Sequence, residues 1–212
     1  MTIHLGIIPD GNRRYCKKNE ISPDSLVDRW LHTMILNTIR KVQAKDEDLG
    51  ILSNVSEVSI YISSLDNYQK RSDHTLEMGY SLIRKLYDVY NHPDRFGLLR
   101  FPDFCFQAVG DLDLLPRDIQ DILSSLPSSE SAFRITIAIA YDYRKDQTYK
   151  RKQSPIDVVF RSGKEKRLSG FFPMHVAYSE LIFSDKLWPE IRLDDLKSCV
   201  NEFLQRDRRF GR

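Results

Sequence analysis

The sequence has few cysteines and no long apolar run. Cys16, Cys105 and Cys199 are the three cysteines in 212 residues, and no two of them form a Cys-x-x-Cys pair. An odd number of widely spaced cysteines supports neither a disulfide framework nor a zinc site. No apolar stretch reaches the roughly 20 residues that a membrane-spanning helix needs. These absences exclude the disulfide-rich secreted class and the integral membrane class.

The chain also lacks a strong excess of either charge. Its formal net charge is +2, which does not favour general nucleic-acid binding and makes the basic groups important only locally. The arginine-rich segment 206–212 is the one candidate nucleic-acid contact, and we disfavour that interpretation because no wider basic face accompanies it. Met1 leads directly into a strand-like run, without a signal-peptide pattern, so we expect a cytoplasmic protein.

Strand-like and helix-like segments alternate along the chain. Runs rich in β-branched and aromatic residues predict six strands, at 3–8, 55–63, 104–109, 133–140, 156–160 and 180–184. Apolar residues at helical spacing predict helices at 25–43, 75–90, 116–123 and 193–204. The alternation predicts an α/β fold, with one domain over residues 1–212 and a mostly parallel sheet flanked by helices.

The loop after the fifth predicted strand carries anion-binding chemistry. In Arg161-Ser-Gly-Lys-Glu-Lys-Arg167-Leu-Ser169, two guanidinium groups and a hydroxyl surround Gly163. Each guanidinium can donate two parallel hydrogen bonds to phosphate oxygens, and the glycine lets the backbone approach the ligand. Taken alone, such a loop is more often a solvated charged turn.

The loop after the first predicted strand offers matching chemistry. Gly11 permits a tight turn, Asp10 can bind a hard cation through oxygen, and Arg14 can meet phosphate charge. By itself, Asp-Gly-Asn is an ordinary turn signal. Because the carboxyl ends of parallel strands meet at one edge of the sheet, we expect both loops to face the same diphosphate-like ligand.

Further motifs follow in a fixed order. They are Asp10-Gly-Asn-x-Arg14, Ser64-x-Asp66-Asn67, Gly110-Asp111 with Leu115-Pro116, Arg161-x-Gly-x-Glu-x-Arg167-x-Ser169, Ala177-x-x-Glu180-Leu, Leu187-Trp-Pro189 and Arg209-x-Gly211. This series resembles the cis-prenyltransferase family, the (Z)-isoprenyl diphosphate synthases related to undecaprenyl diphosphate synthase, almost from end to end. No DDxxD motif is present, which argues against the all-helical trans-type synthases.

The resemblance implies a six-stranded parallel sheet, a hydrophobic tunnel beside the phosphate loops, Mg²⁺ as cofactor and a homodimer. It assigns catalytic roles to Asp10, Asn67 and Ser64, and a metal site to Asp10 and Glu180. It places the allylic diphosphate at Gly11, Asn12 and Arg14, with Arg13 a further substrate-binding candidate, and the second diphosphate at Arg161, Arg167 and Ser169. The remaining substrate-binding candidates are Asp66, Lys70 and Arg71, with Arg209 and Gly211 completing the partner's site.

Plainer interpretations stand beside several of these assignments. Asp66 and Asn67 are residues that often cap helices, and a helix is expected to begin nearby. Taken alone, Glu180 is interpreted as a surface carboxylate beside a strand. Lys70 and Arg71 are equally consistent with solvent-exposed basic residues at the start of a helix and with residues that bind phosphate.

The departures from the family pattern bear on the product. Segment 22–39 lacks the usual Gly-His-x-x-x-Gly motif, and only a short polar stretch precedes Ile156 where the family has a helix and loop, either through a deletion or because residues are missing from the printed sequence. Asp66 stands where the family has glutamate, and Lys166 where it has histidine or glutamine. Ile62 occupies a position that is commonly alanine under the tunnel, so we expect short products of about two or three isoprene units.

We therefore predict a short-chain (Z)-type prenyltransferase that condenses an allylic diphosphate with a C5 isoprenyl diphosphate. The segment Lys18–Ser22 and the Ser64 motif are closer to the lavandulyl-type branch, which couples two dimethylallyl diphosphates head to middle, so this regiochemistry stays open. A non-catalytic accessory subunit is the third hypothesis. The retained Asp10 loop disfavours it, since such subunits tend to lose that loop.

Overall fold

Six parallel strands form one sheet among the residues that the computed structural model describes, which are 2–31, 36, 47–70, 73–100, 103–128, 131, 133–149 and 154–207. The strands are β1 Ile3–Ile8, β2 Val55–Tyr61, β3 Cys105–Val109, β4 Arg134–Ala138, β5 Val158–Arg161 and β6 Glu180–Phe183. Their order across the sheet is β3-β4-β2-β1-β5-β6, and every neighbouring pair is parallel. The predicted α/β class with a parallel sheet is confirmed.

Six α-helices flank the sheet within the same described residues. They are α1 Asn12–Asn19, α2 Pro23–Trp30, α3 Leu65–Lys70, α4 Asp73–Asn91, α5 Arg117–Ser125 and α6 Leu193–Gln205. The sequence predicted no helix at α1 and gave no bounds for the helix expected near Asp66, because α1 and α3 are short and each buries a single residue, Tyr15 or Leu65. No described helix is long and apolar enough to cross a membrane. The candidates Arg71, Arg209 and Gly211 lie outside the described residues.

Each face of the sheet has its own covering layer. On one face, Leu5, Ile7 and Val158 pack with Val200 and Phe203 of α6. Further along the same face, side chains of β3 and β4 pack with buried residues of α4 and α5, including Tyr80, Ile83, Ile119, Leu123 and Ile137. On the opposite face, an aromatic cluster covers the carboxyl half, formed by Tyr61, Tyr141, Phe171 and Phe172. The carboxyl edge is thus held rigidly from both sides.

A buried polar row lies on that second face, nearer the amino ends of the strands. His4 of β1 contacts the Ser59 hydroxyl through Nε2 at 2.8 Å, and the Ser154 hydroxyl donates to Glu57 at 2.6 Å. Ser154 belongs to the connection from β4 to β5, whose described part contains the short 3₁₀ turn Tyr143–Thr148 and no α-helix. Polar contacts therefore hold this connection against the sheet.

The strand order creates a crevice between β1 and β5. The chain leaves β1 towards β2 on one side, whereas it leaves β5 towards β6 on the other. Loops that depart in opposite directions open a crevice at the carboxyl ends of adjacent strands, which is where open α/β sheets bind ligands. The two loops singled out by the sequence, after Ile8 and after Arg161, flank this crevice.

Candidate active site

The loop after β1 is fixed by its contacts with the segment that follows β6. Gly11 has a φ of 101°, and a Cβ at this position would lie 2.7 Å from Leu187 Cδ2. Any other residue would therefore be strained by its backbone and would clash with Leu187. The Asp10 carbonyl accepts a hydrogen bond from the Trp188 backbone N–H at 2.8 Å. The Leu187-Trp-Pro189 motif thus serves to support the loop that carries Asp10.

Ser162 joins the loop after β1 to the loop after β5. Its hydroxyl is 2.9 Å from both the backbone nitrogen and the carbonyl oxygen of Asp10, so it accepts from the one and donates to the other. Ser162 is fully buried. The sequence reasoning missed this residue because it occupies a variable position of the motif, directly after Arg161. Burial of a hydroxyl with both bonding capacities used indicates a fixed loop geometry.

Four charged side chains alternate in sign across the crevice. Glu165 Oε2 is 2.8 Å from Arg14 Nη2, Arg14 Nη2 is 3.3 Å from Asp10 Oδ1, and Asp10 Oδ2 is 2.8 Å from Arg161 Nη2. Position 163 must be glycine for this chain of charges to exist, because a Cβ there would lie 2.8 Å from Arg14 Nη2. The sequence indicated Glu165 only as a member of the Arg161 motif and did not predict its pairing with Arg14.

Arg161 and Arg14, the two cations of this series of charges, keep the Asp10 carboxyl ionised. Burial by itself raises the pKa of Asp10, but the hydrogen bond and charge of Arg161, the charge of Arg14 and the Gly11 N–H together outweigh burial. The pKa of Asp10 consequently lies below its ordinary value of 3.8. An anionic Asp10 at neutral pH is what a cation-binding role requires.

Arg161 and Arg167 occupy different environments although both were predicted to bind one diphosphate. The Arg161 side chain is only 4% exposed. Its Nη1 donates to the Arg167 carbonyl and to the Ser169 hydroxyl, the latter at 2.9 Å, and its Nε has no hydrogen-bond partner among the described atoms. Arg167 and Ser169 are exposed. Arg161 therefore organises the loop from within, while Arg167 and Ser169 are accessible to solvent.

The Ser64 motif begins helix α3 beside the crevice. The Ser64 hydroxyl accepts a hydrogen bond from the Asn67 backbone N–H at 3.0 Å, so the capping residue is Ser64 and not Asp66 or Asn67. Asp66 is exposed and lies 3.2 Å from Arg144 Nη2. Asn67 is half-buried and Lys70 is exposed. In this half of the site, the candidate side chains are held by few contacts.

Glu180 is not brought next to Asp10 within one chain. It begins β6 and pairs in register with Val158, whereas Arg161, which contacts Asp10, pairs with Phe183. Glu180 therefore lies three residues, or about 10 Å, further back along the strands than the residue pair that is next to Asp10. The Glu180 carboxylate instead accepts a hydrogen bond from Arg206 Nη1 at 2.5 Å. Its assignment to a metal site stays a prediction.

No group of three or more acidic, histidine or cysteine side chains converges among the described residues. Asp10 is the one predicted metal ligand at the crevice, and cations surround it. Mg²⁺ is commonly bound through one or two carboxylates together with substrate phosphates, while keeping several waters. The residues therefore fit Mg²⁺ when a diphosphate supplies the other oxygens. Taken together, the crevice can bind diphosphate groups and stabilise negative charge as it develops on one of them.

Comparisons with known proteins agree with this chemistry. A family model described as putative undecaprenyl diphosphate synthase matches residues 8–150 and 144–211. The chain is 31% identical to a tritrans,polycis-undecaprenyl-diphosphate synthase (geranylgeranyl-diphosphate specific) of Pyrobaculum aerophilum, over 244 residues that cover 99% of this chain and 95% of the relative. A synthase of the same kind from Sulfolobus acidocaldarius (GGDP specific) is 29% identical, covering 98% of this chain and 87% of the relative.

A solved structure shares the fold. Lavandulyl diphosphate synthase from Lavandula x intermedia, in complex with dimethylallyl diphosphate, superposes with a TM-score of 0.73 at 22% identity, covering 99% of this chain and 98% of that one. The two matched pieces of the family model meet at residues 144–150, in the connection from β4 to β5. This is where the sequence has a short polar stretch in the place of the family's helix and loop.

Proposed function

The chain belongs to the cis-prenyltransferase family of isoprenyl diphosphate synthases, and from this premise we propose that it is a short-chain (Z)-prenyltransferase. The proposed reaction joins an allylic diphosphate to isopentenyl diphosphate, with loss of one proton and release of inorganic diphosphate. The observation that carries the proposal is the convergence of two anion-binding loops on Asp10, within 2.8 Å of Arg161 and 3.3 Å of Arg14.

We assign the allylic diphosphate to the loop after β1. Arg14 and the backbone N–H groups at the start of α1 face this position, with Asn12 and Arg13 beside them. Positive charge and N–H dipoles stabilise the leaving diphosphate as the carbon–oxygen bond breaks. When bound, Mg²⁺ adds charge neutralisation at the same oxygens, held by Asp10.

We assign the second diphosphate to the exposed groups of the loop after β5. Arg167 and Ser169 contact it, and Arg161 holds both from below. Ser169 is further fixed by its carbonyl, which accepts a hydrogen bond from the Tyr61 hydroxyl at 3.0 Å. The double bond of isopentenyl diphosphate then attacks the allylic carbon, and Asn67 and Ser64 lie on the side where the proton leaves.

The packing of Ile62 supports a short product. Ile62 is half-buried and packs against the cluster between the sheet and helices α4 and α5. On α4, Leu86 and Tyr90 also belong to core clusters, whereas Met78 and Leu82 are half-buried. A close-packed layer at this point leaves room for a short prenyl tail.

We also propose a homodimer through the C-terminal half. Met174, Tyr178 and Leu181 are large apolar side chains that are 64%, 73% and 36% exposed, and they lie on or just before the edge strand β6. Exposed apolar residues beside an unpaired strand edge favour association. Light scattering at micromolar concentration tests this. A truncation after Arg206, which removes Arg209 and Gly211, is expected to lose activity while the dimer largely survives.

Head-to-middle coupling of two dimethylallyl diphosphates is the second candidate. Arg167 and Ser169 would bind the phosphate groups and not the carbon skeleton, so the proposed site accepts either C5 diphosphate. A non-catalytic accessory subunit is the third candidate, and the intact set of contacts around Asp10 disfavours it.

One assay separates the three candidates. Purified protein is incubated with Mg²⁺ and labelled isopentenyl diphosphate, dimethylallyl diphosphate, or both. Products of two or three isoprene units that need both substrates support the proposal. Branched product from dimethylallyl diphosphate alone indicates head-to-middle coupling. Absence of product from every mixture, in folded protein, overturns both proposed couplings of C5 substrates.

A further inference from the structure

A carboxylate is an unexpected group in the loop after β5, to which we assign a diphosphate. Glu165 lies between Arg161 and Arg167 in that loop, and its sequence neighbours Lys164 and Lys166 are exposed cations. A negative side chain repels phosphate, so its presence among cations that attract phosphate needs a reason of its own. The reason lies in what the carboxylate contacts.

Glu165 contacts the arginine of the other loop. Glu165 Oε2 accepts a hydrogen bond from Arg14 Nη2 at 2.8 Å, across 151 positions of sequence. This hydrogen bond is the largest influence on the Arg14 guanidinium, and it raises the pKa of Arg14 above its ordinary value. Gly163 leaves room for the contact, because a Cβ there would lie 2.8 Å from Arg14 Nη2 and 3.2 Å from Glu165 Oε2. The turn is therefore shaped around this pair.

The pair forms the exposed end of the series of four charges across the crevice. The side chains of Arg14 and Glu165 are 41% and 28% exposed, whereas Arg161 at the other end is buried. An exposed ion pair contributes little to stability, so one partner can be exchanged for a ligand at low cost. The buried Arg161 lacks this freedom, because it would be left without its carboxylate.

The loop does not depend on Glu165 for its shape. The Gly163 backbone N–H donates to the Lys186 carbonyl at 2.7 Å. The Ser162 hydroxyl bonds the backbone of the loop after β1. A substitution of Glu165 therefore leaves the backbone of the loop in place and changes chiefly what Arg14 contacts.

We propose that Glu165 is an intramolecular competitor of the diphosphate for Arg14. This inference rests on the proposed prenyltransferase function, which assigns Arg14 to the leaving diphosphate. Carboxylate and diphosphate both accept charge-assisted hydrogen bonds from a guanidinium, and the diphosphate carries more charge. The allylic diphosphate therefore displaces the carboxylate, which returns to Arg14 as inorganic diphosphate leaves. Because Glu165 acts through Arg14, it is a positioning residue that promotes product release.

A cycle of four proteins tests the competition: the unmodified chain, Glu165→Gln, Arg14→Gln and the double variant. Inorganic diphosphate is titrated by calorimetry, once with a chelator and once with Mg²⁺, after thermal unfolding has shown that each variant is folded. Glu165→Gln is expected to bind diphosphate about fivefold more tightly, which is about 1 kcal/mol. In the Arg14→Gln background, the same substitution is expected to gain less than about twofold, because the contested guanidinium is absent.

The matched control is Asp185→Asn. It removes the same charge from an exposed residue of the segment after β6, beside the loop that carries Glu165. Its diphosphate affinity is expected to stay within about twofold of that of the unmodified chain at 0.15 M salt. If Glu165→Gln does not fold, Glu165→Ala takes its place in both backgrounds.

Turnover provides a second readout. Inhibition by added inorganic diphosphate is expected to strengthen in Glu165→Gln by the same factor as the binding. The release of diphosphate, followed by stopped flow, is expected to slow correspondingly. A side chain that only orders Arg14 for the ligand would have the opposite effect, because its loss would weaken diphosphate binding.

The outcomes separate this inference from the proposed function. Equal or weaker diphosphate binding by Glu165→Gln overturns the competition, and so does a gain that persists in full in the Arg14→Gln background. A loss of affinity confined to the Mg²⁺ buffer shows that Glu165 serves the cation, and it overturns the competition as well. In each case the proposed function stands while the unmodified chain forms product. Absence of diphosphate binding in both buffers overturns the competition, and the proposed function fails only if product is absent too.

Discussion

The crevice between β1 and β5 and the loop after β2 supply two halves of the candidate site, and they differ in how firmly they are held. In the crevice, Asp10 is bound through its carboxylate, its backbone N–H and its carbonyl to Arg161, Ser162 and Trp188. In the other half, Asp66 and Lys70 are exposed, and Asp66 has one ion pair with Arg144.

This difference indicates which part of the site is ready before substrate arrives. Fixed dipoles and charges stabilise a developing charge without reorganising, so diphosphate chemistry benefits from a rigid crevice. In the proposed reaction, the other half meets the carbon skeleton, which differs between substrates, and looser side chains suit that role. The comparison predicts that substitutions in the crevice alter both stability and turnover, whereas those in the other half alter chiefly turnover or little at all.

Asp10→Ala is expected to have the largest effect. Turnover should fall about 100-fold or more, mainly in kcat, because the group beside the leaving diphosphate is lost. The melting temperature should also fall, because the buried Arg161 guanidinium loses its carboxylate. Asp10→Asn is the matched control, since it keeps the shape and removes the charge. Retention of more than about a tenth of the unmodified kcat would contradict the catalytic assignment.

Arg161→Ala and Arg167→Ala compare a buried with an exposed arginine of one motif. Each is expected to cost roughly 2–4 kcal/mol in kcat/KM, since each is charged and close to the proposed acceptor diphosphate. Arg161→Ala should also lower the melting temperature clearly, whereas Arg167→Ala should change stability by no more than about 0.5 kcal/mol. Calorimetry with an inert thio analogue measures acceptor binding. Normal binding in both variants would show that the loop is structural.

Stability should depend on pH through His4, which lies at the other end of β1. Burial lowers the pKa of His4 below its ordinary value of 6.5, against the opposing charges of Glu57 and Asp157. Arg134, 3.5 Å from Glu57, is the nearby cation. The folded chain then binds fewer protons at this ring than the unfolded chain, so stability is full above pH 6.5 and declines as the pH falls towards the lowered pKa.

The measurement is thermal unfolding at pH 7.5 and 5.5. The melting temperature of the unmodified chain should decrease on acidification by at least about 2 °C more than that of His4→Asn. His92→Asn, on an exposed histidine, is the control and should follow the unmodified chain. Equal pH dependence in all three proteins would contradict a buried neutral His4.

Asp66→Ala is expected to have the smallest effect. Its ion pair with Arg144 is exposed, and such pairs contribute up to about 1 kcal/mol. Unfolding by denaturant should therefore move little, and the crevice should keep its affinity for inorganic diphosphate. A loss of stability as large as that of Asp10→Ala would remove the distinction between the two halves of the site.

The candidate site was more predictable from the sequence than the way in which it is held. Motif residues occur at fixed positions beside strand ends, so Asp10, Arg14 and Arg161 could be placed at one edge of a parallel sheet. The phosphate-binding role of Arg161 stays a prediction, and the contacts of its Nη groups with Asp10, Arg167 and Ser169 were not foreseen. Ser162 and the Arg14–Glu165 pair were missed, because a serine or a glutamate in a polar loop carries no signal of its partner 151 or 152 residues away.

The sequence by itself determined the alternation of strands and helices, the parallel sheet and the identity of the charged loops. These follow from local periodicity and from residue chemistry, which neighbouring positions suffice to express. Tertiary structure alone decided the strand order that opens the crevice, the burial of Arg161, the capping role of Ser64 and the pairing of Arg14 with Glu165. Each of these depends on which distant segments pack together. Only packing in three dimensions sets the distances and the exclusion of water that give such contacts their energy.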